Sequence, residues 1–91
     1  MYKIFYHEKV IKEDMPKIGR KERQSVKSAI EKKLVEFPHV FGKPLRSTLN
    51  GYWKLRVEDY RIIFKIEKQS VKILMIAHRS LVYKLIEKRK S

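Results

Sequence analysis

LRSTLNGYWKLRVEDYRIIFKIEKQSVKILMIAHRSLVY, residues 45–83, decides the fold of this chain. Asn50-Gly51 is a strong turn signal, and beyond it Trp53, Leu55 and Val57 alternate with Tyr52, Lys54 and Arg56. A period of two marks a half-buried strand, because successive side chains point to opposite faces of a sheet. Glu58-Asp59 turns the chain into a second alternating run, Tyr60–Glu67, where Ile62, Phe64 and Ile66 oppose Arg61, Ile63 and Lys65. After the short loop Lys68-Gln69-Ser70, Val71–Ala77 is apolar on both faces apart from Lys72, as in a central strand. Three strands joined by short turns predict a meander. No acidic residue falls on Tyr52–Val57, so the strand presents an uninterrupted cationic side.

Upstream, Tyr2–His7 has the aromatic and branched composition of a short strand. Val10, Ile11, Met15 and Ile18 recur at helical spacing, and Pro16 is expected to stop that helix near Met15 and open a turn or a second helix. From about Lys21 to Glu36, Val26, Ala29, Ile30 and Leu34 draw one apolar stripe along a charged helix, which Pro38 ends. Gly42-Lys43-Pro44 reads as a connector. Ser80 is positioned to cap a last short helix carrying Leu81, Val82, Leu85 and Ile86, whose charged end, EKRKS, is expected to fray. The fold predicted is α+β: a small antiparallel sheet built from the N-terminal strand and the three-strand meander. A helical hairpin lies on one face, and a short C-terminal helix follows.

Residues 1–91 suffice for a single small domain that buries about 60–65% of its unfolded surface. The 23 basic and 10 acidic side chains give a net charge of +13. The excess is uneven: residues 43–91 hold 13 basic and 4 acidic side chains, against 10 and 6 in residues 1–42. A polyanion, either nucleic acid or an acidic protein, is the natural partner, and the strand-rich half is where it should bind. With no cysteine there is neither a disulfide framework nor a thiolate metal site. MYKIFYHEKV lacks the apolar core of a signal peptide, and the longest uncharged apolar run, Ile73–Ala77, is far too short for a bilayer. The expectation is a cytoplasmic protein with no membrane association.

The runs GYWKLRVEDYRIIFKI and IAHRSLVYKL resemble the second half of the RelE/ParE toxin superfamily, and most closely the RelE-type ribosome-dependent messenger-RNA endonucleases. The shared pattern is a basic strand ending in Leu-Arg, a strand opening on Asp-Tyr-Arg, and a His-Arg element followed by Val-Tyr. By element order the resemblance spans the whole chain; by motif it covers about forty residues. Two positions depart from it. Ala77 stands where a glycine usually precedes His-Arg, and Tyr52 stands where a lysine is usual two residues before Lys54.

The resemblance implies RNA cleavage without a metal or any other cofactor, by attack of the substrate's own 2′-hydroxyl. Such a site must remove a proton, stabilise charge on phosphorus and protonate the leaving oxygen. It implies Arg61 as the fork on the phosphoryl oxygens, Arg79 at the leaving oxygen, Lys54 assisting deprotonation and Tyr83 stacking on a base or orienting the nucleotide. Arg56 is the choice for an accessory phosphate contact, and His78, beside Arg79, for an RNA contact, with a structural hydrogen bond as the other reading of that histidine. Taken without the pattern, Lys54 and Arg56 read as a solvated sheet face, Arg61 as the partner of Glu58 or Asp59, and Tyr83 as a ring packed on the sheet. His7 and His39 read as structural or exposed, and Trp53 and Phe64 as core. No His/Asp/Glu spacing suggests a metal site.

The resemblance further implies an antitoxin partner whose acidic, partly disordered segment would cover the basic chain. It also implies messenger RNA in the A site of the 30S ribosomal subunit as substrate, with the ribosome supplying alignment. A ParE-like inhibitor that binds DNA gyrase without chemistry is the rival function. A catalytically inactive RNA- or antitoxin-binding relic is a third.

Overall fold

The computed structural model describes residues 1–90. β1 (Lys3–Tyr6) leads into α1, which is wound as a π-helix over Val10–Asp14 and as an α-helix over Met15–Lys17. α2 comprises Arg20–Ala29 and a π-helical continuation, Ile30–Leu34. The short α3 (Pro38–Phe41) precedes β2 (Lys43–Pro44), and then come β3 (Trp53–Val57), β4 (Tyr60–Glu67), β5 (Ser70–His78) and α4 (Val82–Lys90). The sheet order is β1-β5-β4-β3-β2.

The meander is antiparallel as the alternation predicts, but the sheet as a whole is mixed. β1 pairs parallel to β5, with Ile4 opposite Val71 and Tyr6 opposite Ile73. Three helices and strands β2–β4 intervene before β1's neighbour β5 is laid down, and so long a crossover suits a parallel pair. Gly42-Lys43-Pro44 is more than a connector, since Lys43 pairs with Lys54 and Pro44 with Trp53 as a fifth, edge strand.

The helices do not share one face. Val10, Ile18, Val26, Ile30 and Leu34 from α1, α2 and the bend between them pack on Leu55, Ile62, Phe64, Val71, Ile73 and Ile76. On the other face, Val82 and Ile86 of α4 cover Ile63, Met75 and Ala77. Each wholly buried aliphatic side chain contributes about 1.5–3 kcal/mol, so both layers matter in so small a domain. Leu74 has no partner in the β4–β5 register, which shifts between Ile63 and Phe64. The bulge moves β5's alternation by one residue, so Ile73 and Ile76 face α2 while Met75 and Ala77 face α4.

Pro16 opens a second helical segment as expected: the π-helical stretch ends at Asp14, and Pro16 stands in the first turn of Met15–Lys17. Two local expectations are corrected. Ser80 does not cap α4: the helix begins at Val82, and the Ser80 hydroxyl lies 2.8 Å from His78 Nδ1. The charged end of α4 is not frayed over its described residues. Arg89 is buried in a bidentate pair with Asp14, at 2.9 and 3.0 Å, and Lys90 Nζ donates to the Thr48 carbonyl. Ser91, the last residue of that expected frayed end, lies outside the described residues. No helix among the described residues is long and apolar enough to cross a membrane.

Candidate functional site

Alternation along β3 and β4 puts Leu55, Ile62 and Phe64 into the α2-side core, and so turns Lys54, Arg56 and Arg61 toward the α4 side. Arg56 and Arg61 stand directly opposite each other across the two strands. Like charges in that position repel, so the pair costs stability unless an anion lies between them. Arg61 is half-buried, and its Nη1 donates to the carbonyls of Glu58 and Tyr60 at 3.0 and 2.9 Å. The turn therefore orients the guanidinium through backbone oxygens and not through the Glu58 or Asp59 carboxylates. Glu58 takes a positive φ of 53° to make that turn.

α4 brings Tyr83 back over β3. Lys54 Nζ donates to the Tyr83 hydroxyl at 3.3 Å and lies 5.9 Å from the centre of its ring. The tyrosine is exposed beside the lysine. Its anchor is remote: the Arg89–Asp14 pair pins the far end of the same helix.

Arg79 follows the end of β5. Its backbone N–H donates to the Asp59 carbonyl at 2.7 Å, which sets the residue at the β3–β4 turn that also holds Arg61. Its side chain is exposed, and its Nε is 3.9 Å from Asp59 Oδ1, a contact too long and too hydrated to immobilise it.

His78 is not brought into this group. It pairs in register with Tyr60, meets that ring edge-on at 5.7 Å, and shares a depression with Asp14, Lys17 and Ile18 on the α1 side of the sheet. Its Nδ1 accepts the Ser80 N–H at 3.2 Å. His39 is structural, edge-on to Trp53 at 5.3 Å, and His7 Nδ1 accepts the Lys9 N–H at the start of α1.

Beside Lys54 and Arg61 the sheet opens into a groove of about 340 Å³, whose cationic lining also includes Lys33, Lys43 and Arg56. Reading the sequence missed Lys33 and Lys43. Lys43 could have been found only by recognising Gly42-Lys43-Pro44 as an edge strand, and Lys33 only by docking α2 onto β3. The exposed ring of Phe41 closes one side, with Lys33 Nζ 5.6 Å from its centre. No carboxylate lines this groove. Among the described residues, no group of three His, Cys, Asp or Glu side chains could hold a metal ion.

A family model described as the ParE toxin of type II toxin–antitoxin systems matches residues 4–83. A curated toxin RelE of Mycobacterium tuberculosis is 41% identical over 54 residues, which cover 57% of this chain and 56% of that protein. The match thus spans little more than half the length of that curated relative. Among solved structures, a chain of the toxin–antitoxin complex RelBE2 from Mycobacterium tuberculosis superposes with a TM-score of 0.79 at 27% identity, over 87% of this chain and 92% of that one. The isolated Escherichia coli RelE toxin superposes with a TM-score of 0.72 at 23% identity over the whole of both chains, a likeness of fold.

Proposed function

The chain belongs to the ParE toxin family of type II toxin–antitoxin systems, within the RelE/ParE superfamily, and from its likeness to a curated toxin RelE and the geometry of its site we propose that it is a RelE-type endoribonuclease cutting messenger RNA in the ribosomal A site. The observation that carries this reading is the meeting of Lys54, Arg56 and Arg61 on one sheet face with Tyr83, delivered by α4 to 3.3 Å from Lys54.

A gyrase binder has no evident need for a phenol held against a lysine beside two facing arginines. A phosphodiester does. The 2′-oxygen loses its proton and bonds to phosphorus, the bond from phosphorus to the 5′-oxygen breaks, and that oxygen takes up a proton. The products are a 2′,3′-cyclic phosphate and a 5′-hydroxyl. Arg61, with Nη1 already fixed by the turn, offers the rest of its fork to the non-bridging oxygens. Lys54 and Tyr83 form a proton-relaying pair beside the 2′-oxygen, and the Tyr83 ring stacks on a base. Arg79, free to swing at the turn, stabilises charge on the departing oxygen. Arg56 holds the adjoining phosphate. His78, on the other face, steadies the strand end through Ser80 and Tyr60 and takes no part in the chemistry.

In this reading a cognate antitoxin silences the toxin through an acidic segment laid on the cationic surface, and the solved relative is itself a toxin–antitoxin complex. The reading is tested by primer extension on a ribosome-bound message in a purified translation system, with naked RNA as control. Cuts on the ribosome alone support it; the absence of cuts refutes it. The second reading, a ParE-like gyrase inhibitor, draws on the description of the matching family, and a supercoiling assay tests it directly.

A further inference from the structure

A second groove, of about 600 Å³, lies between α2 and the edge of β3. β2 pairs only with Trp53 and Lys54, so beyond Lys54 this edge of β3 has no strand beside it among the described residues. α2 faces the gap with Lys21, Ser25, Ser28 and Lys32, which recur at the spacing of one helical stripe. The small side chains of Ser25, Ser28 and Ala29 keep the gap open, and Arg56 forms the opposite wall. None of Lys21, Lys32 and Arg56 has a carboxylate within ion-pairing distance among the described residues, and the one acid in the lining is Glu58 at the turn. Arg56 and Lys33 line this groove and also the one holding Lys54 and Arg61, so the two are continuous.

We infer that the α2–β3 groove is a second phosphodiester-binding site, a track that holds RNA backbone flanking the phosphate at Arg61. The inference rests on the ribonuclease reading for the identity of the first site. Unpaired cations on both walls, with hydroxyls between them, suit successive phosphates, which need charge and hydrogen-bond donors. An acidic peptide would also answer the charge, and could add to the free β3 edge, but hydroxyl donors spaced between unpaired cations match the non-bridging oxygens of successive phosphates more closely. Ala29 and Val57 are the only apolar residues of this lining, and the groove that could seat a large apolar anchor lies elsewhere, between Tyr6, Ile11 and Met15. The RNA held could be the message itself or ribosomal RNA, since both present the same backbone.

The test uses the full chain carrying Lys21→Gln and Lys32→Gln, with thermal melts to verify an intact fold. Affinities for a trinucleotide and for a longer single-stranded RNA are measured off the ribosome by fluorescence anisotropy across a salt series. The expected result is roughly tenfold weaker binding of the longer RNA, a salt slope smaller by about 1.4 (about 0.7 for each phosphate no longer neutralised), and unchanged trinucleotide binding. Binding to vacant ribosomes with and without message then separates the sources: a defect only with message marks the message strand, and one in both marks ribosomal RNA. Unaltered affinity for the longer RNA overturns the inference. So does a defect seen only toward polyglutamate, which would assign the groove to an acidic protein. Because these measurements need no cleavage, a wild-type protein that binds as expected yet never cuts would sink the ribonuclease reading and leave the groove standing.

Discussion

Arg89 and Asp14, seventy-five residues apart in sequence, form a bidentate ion pair with both side chains more than nine-tenths buried. The pair stands where β5 runs on past the end of β1. Asp14 Oδ2 accepts the Ile76 N–H at 2.9 Å, and Arg89 Nη1 donates to the Leu74 carbonyl at 3.0 Å, so two side chains stand in for a missing strand. Removing one partner strands the other charge in the interior. Arg89→Ala or Asp14→Ala should each lower stability by about 3–5 kcal/mol in urea titrations. The joint replacement Asp14→Leu with Arg89→Met should recover only part of the loss, because the Ile76 N–H and the Leu74 carbonyl are left without partners.

Gly42 is constrained by space and not by conformation, since its φ of −79° suits any residue. A Cβ there would stand 2.6 Å from Phe64 Cζ and 2.8 Å from the Pro38 carbonyl oxygen. Gly42→Ala should therefore cost about 1–3 kcal/mol by overpacking, read as a lower urea midpoint at unchanged m-value. The same strain would lift Lys43 from its position opposite Lys54.

Tyr83 should separate into two contributions. Tyr83→Phe keeps the ring and loses the hydroxyl 3.3 Å from Lys54, so kcat should fall about a hundredfold with little change in KM. Tyr83→Ala also removes the stacking surface, worth about 1–3 kcal/mol per base, and should raise KM about tenfold or more besides. Steady-state cleavage of a ribosome-bound message checks both.

Much of this fold is legible in the sequence, for a physical reason. β4 can be delimited to the residue, Tyr60–Glu67, because Glu58-Asp59 and Lys68-Gln69 mark its turns. Between them Arg61 and Lys65 alternate with Ile62, Phe64 and Ile66, although Ile63 is buried on the other face under α4. The same alternation assigns Lys54, Arg56 and Arg61 to one side. Direction and layering are not legible: whether Ile4 runs with or against Val71, and which face α4 covers, depends on contacts made only after the whole chain has collapsed. For His78 the structural hydrogen bond weighed beside an RNA contact is present, to Ser80, and adjacency to Arg79 could not say which face the ring takes. The Asp14–Arg89 pair carries no signal, since a lone acid in an amphipathic helix and an arginine in a basic tail both read as solvated.

Tyr6 provides a pH prediction. Its hydroxyl titrates above the ordinary 10.0, because partial burial disfavours the phenolate and the Glu31 carboxylate repels it. The folded state thus favours the protonated phenol. That contribution is complete below about pH 10, the unfolded value, and is lost as pH rises through the higher folded value. Ultraviolet titration should show one late-ionising tyrosine that vanishes in Tyr6→Phe, whose stability should fall less steeply above about pH 10.

Whether the cations on the α4 side of the sheet act on a phosphodiester is decided most directly by cleavage, with wild type beside Arg61→Ala and Arg79→Ala. Primer extension on a ribosome-bound message, with the RNA ends analysed, should show wild-type cuts leaving a cyclic phosphate and a 5′-hydroxyl, and loss of about a hundredfold or more in each variant. Undiminished toxicity of both variants in cells, with no cuts by any of the three proteins and gyrase supercoiling blocked, would contradict it.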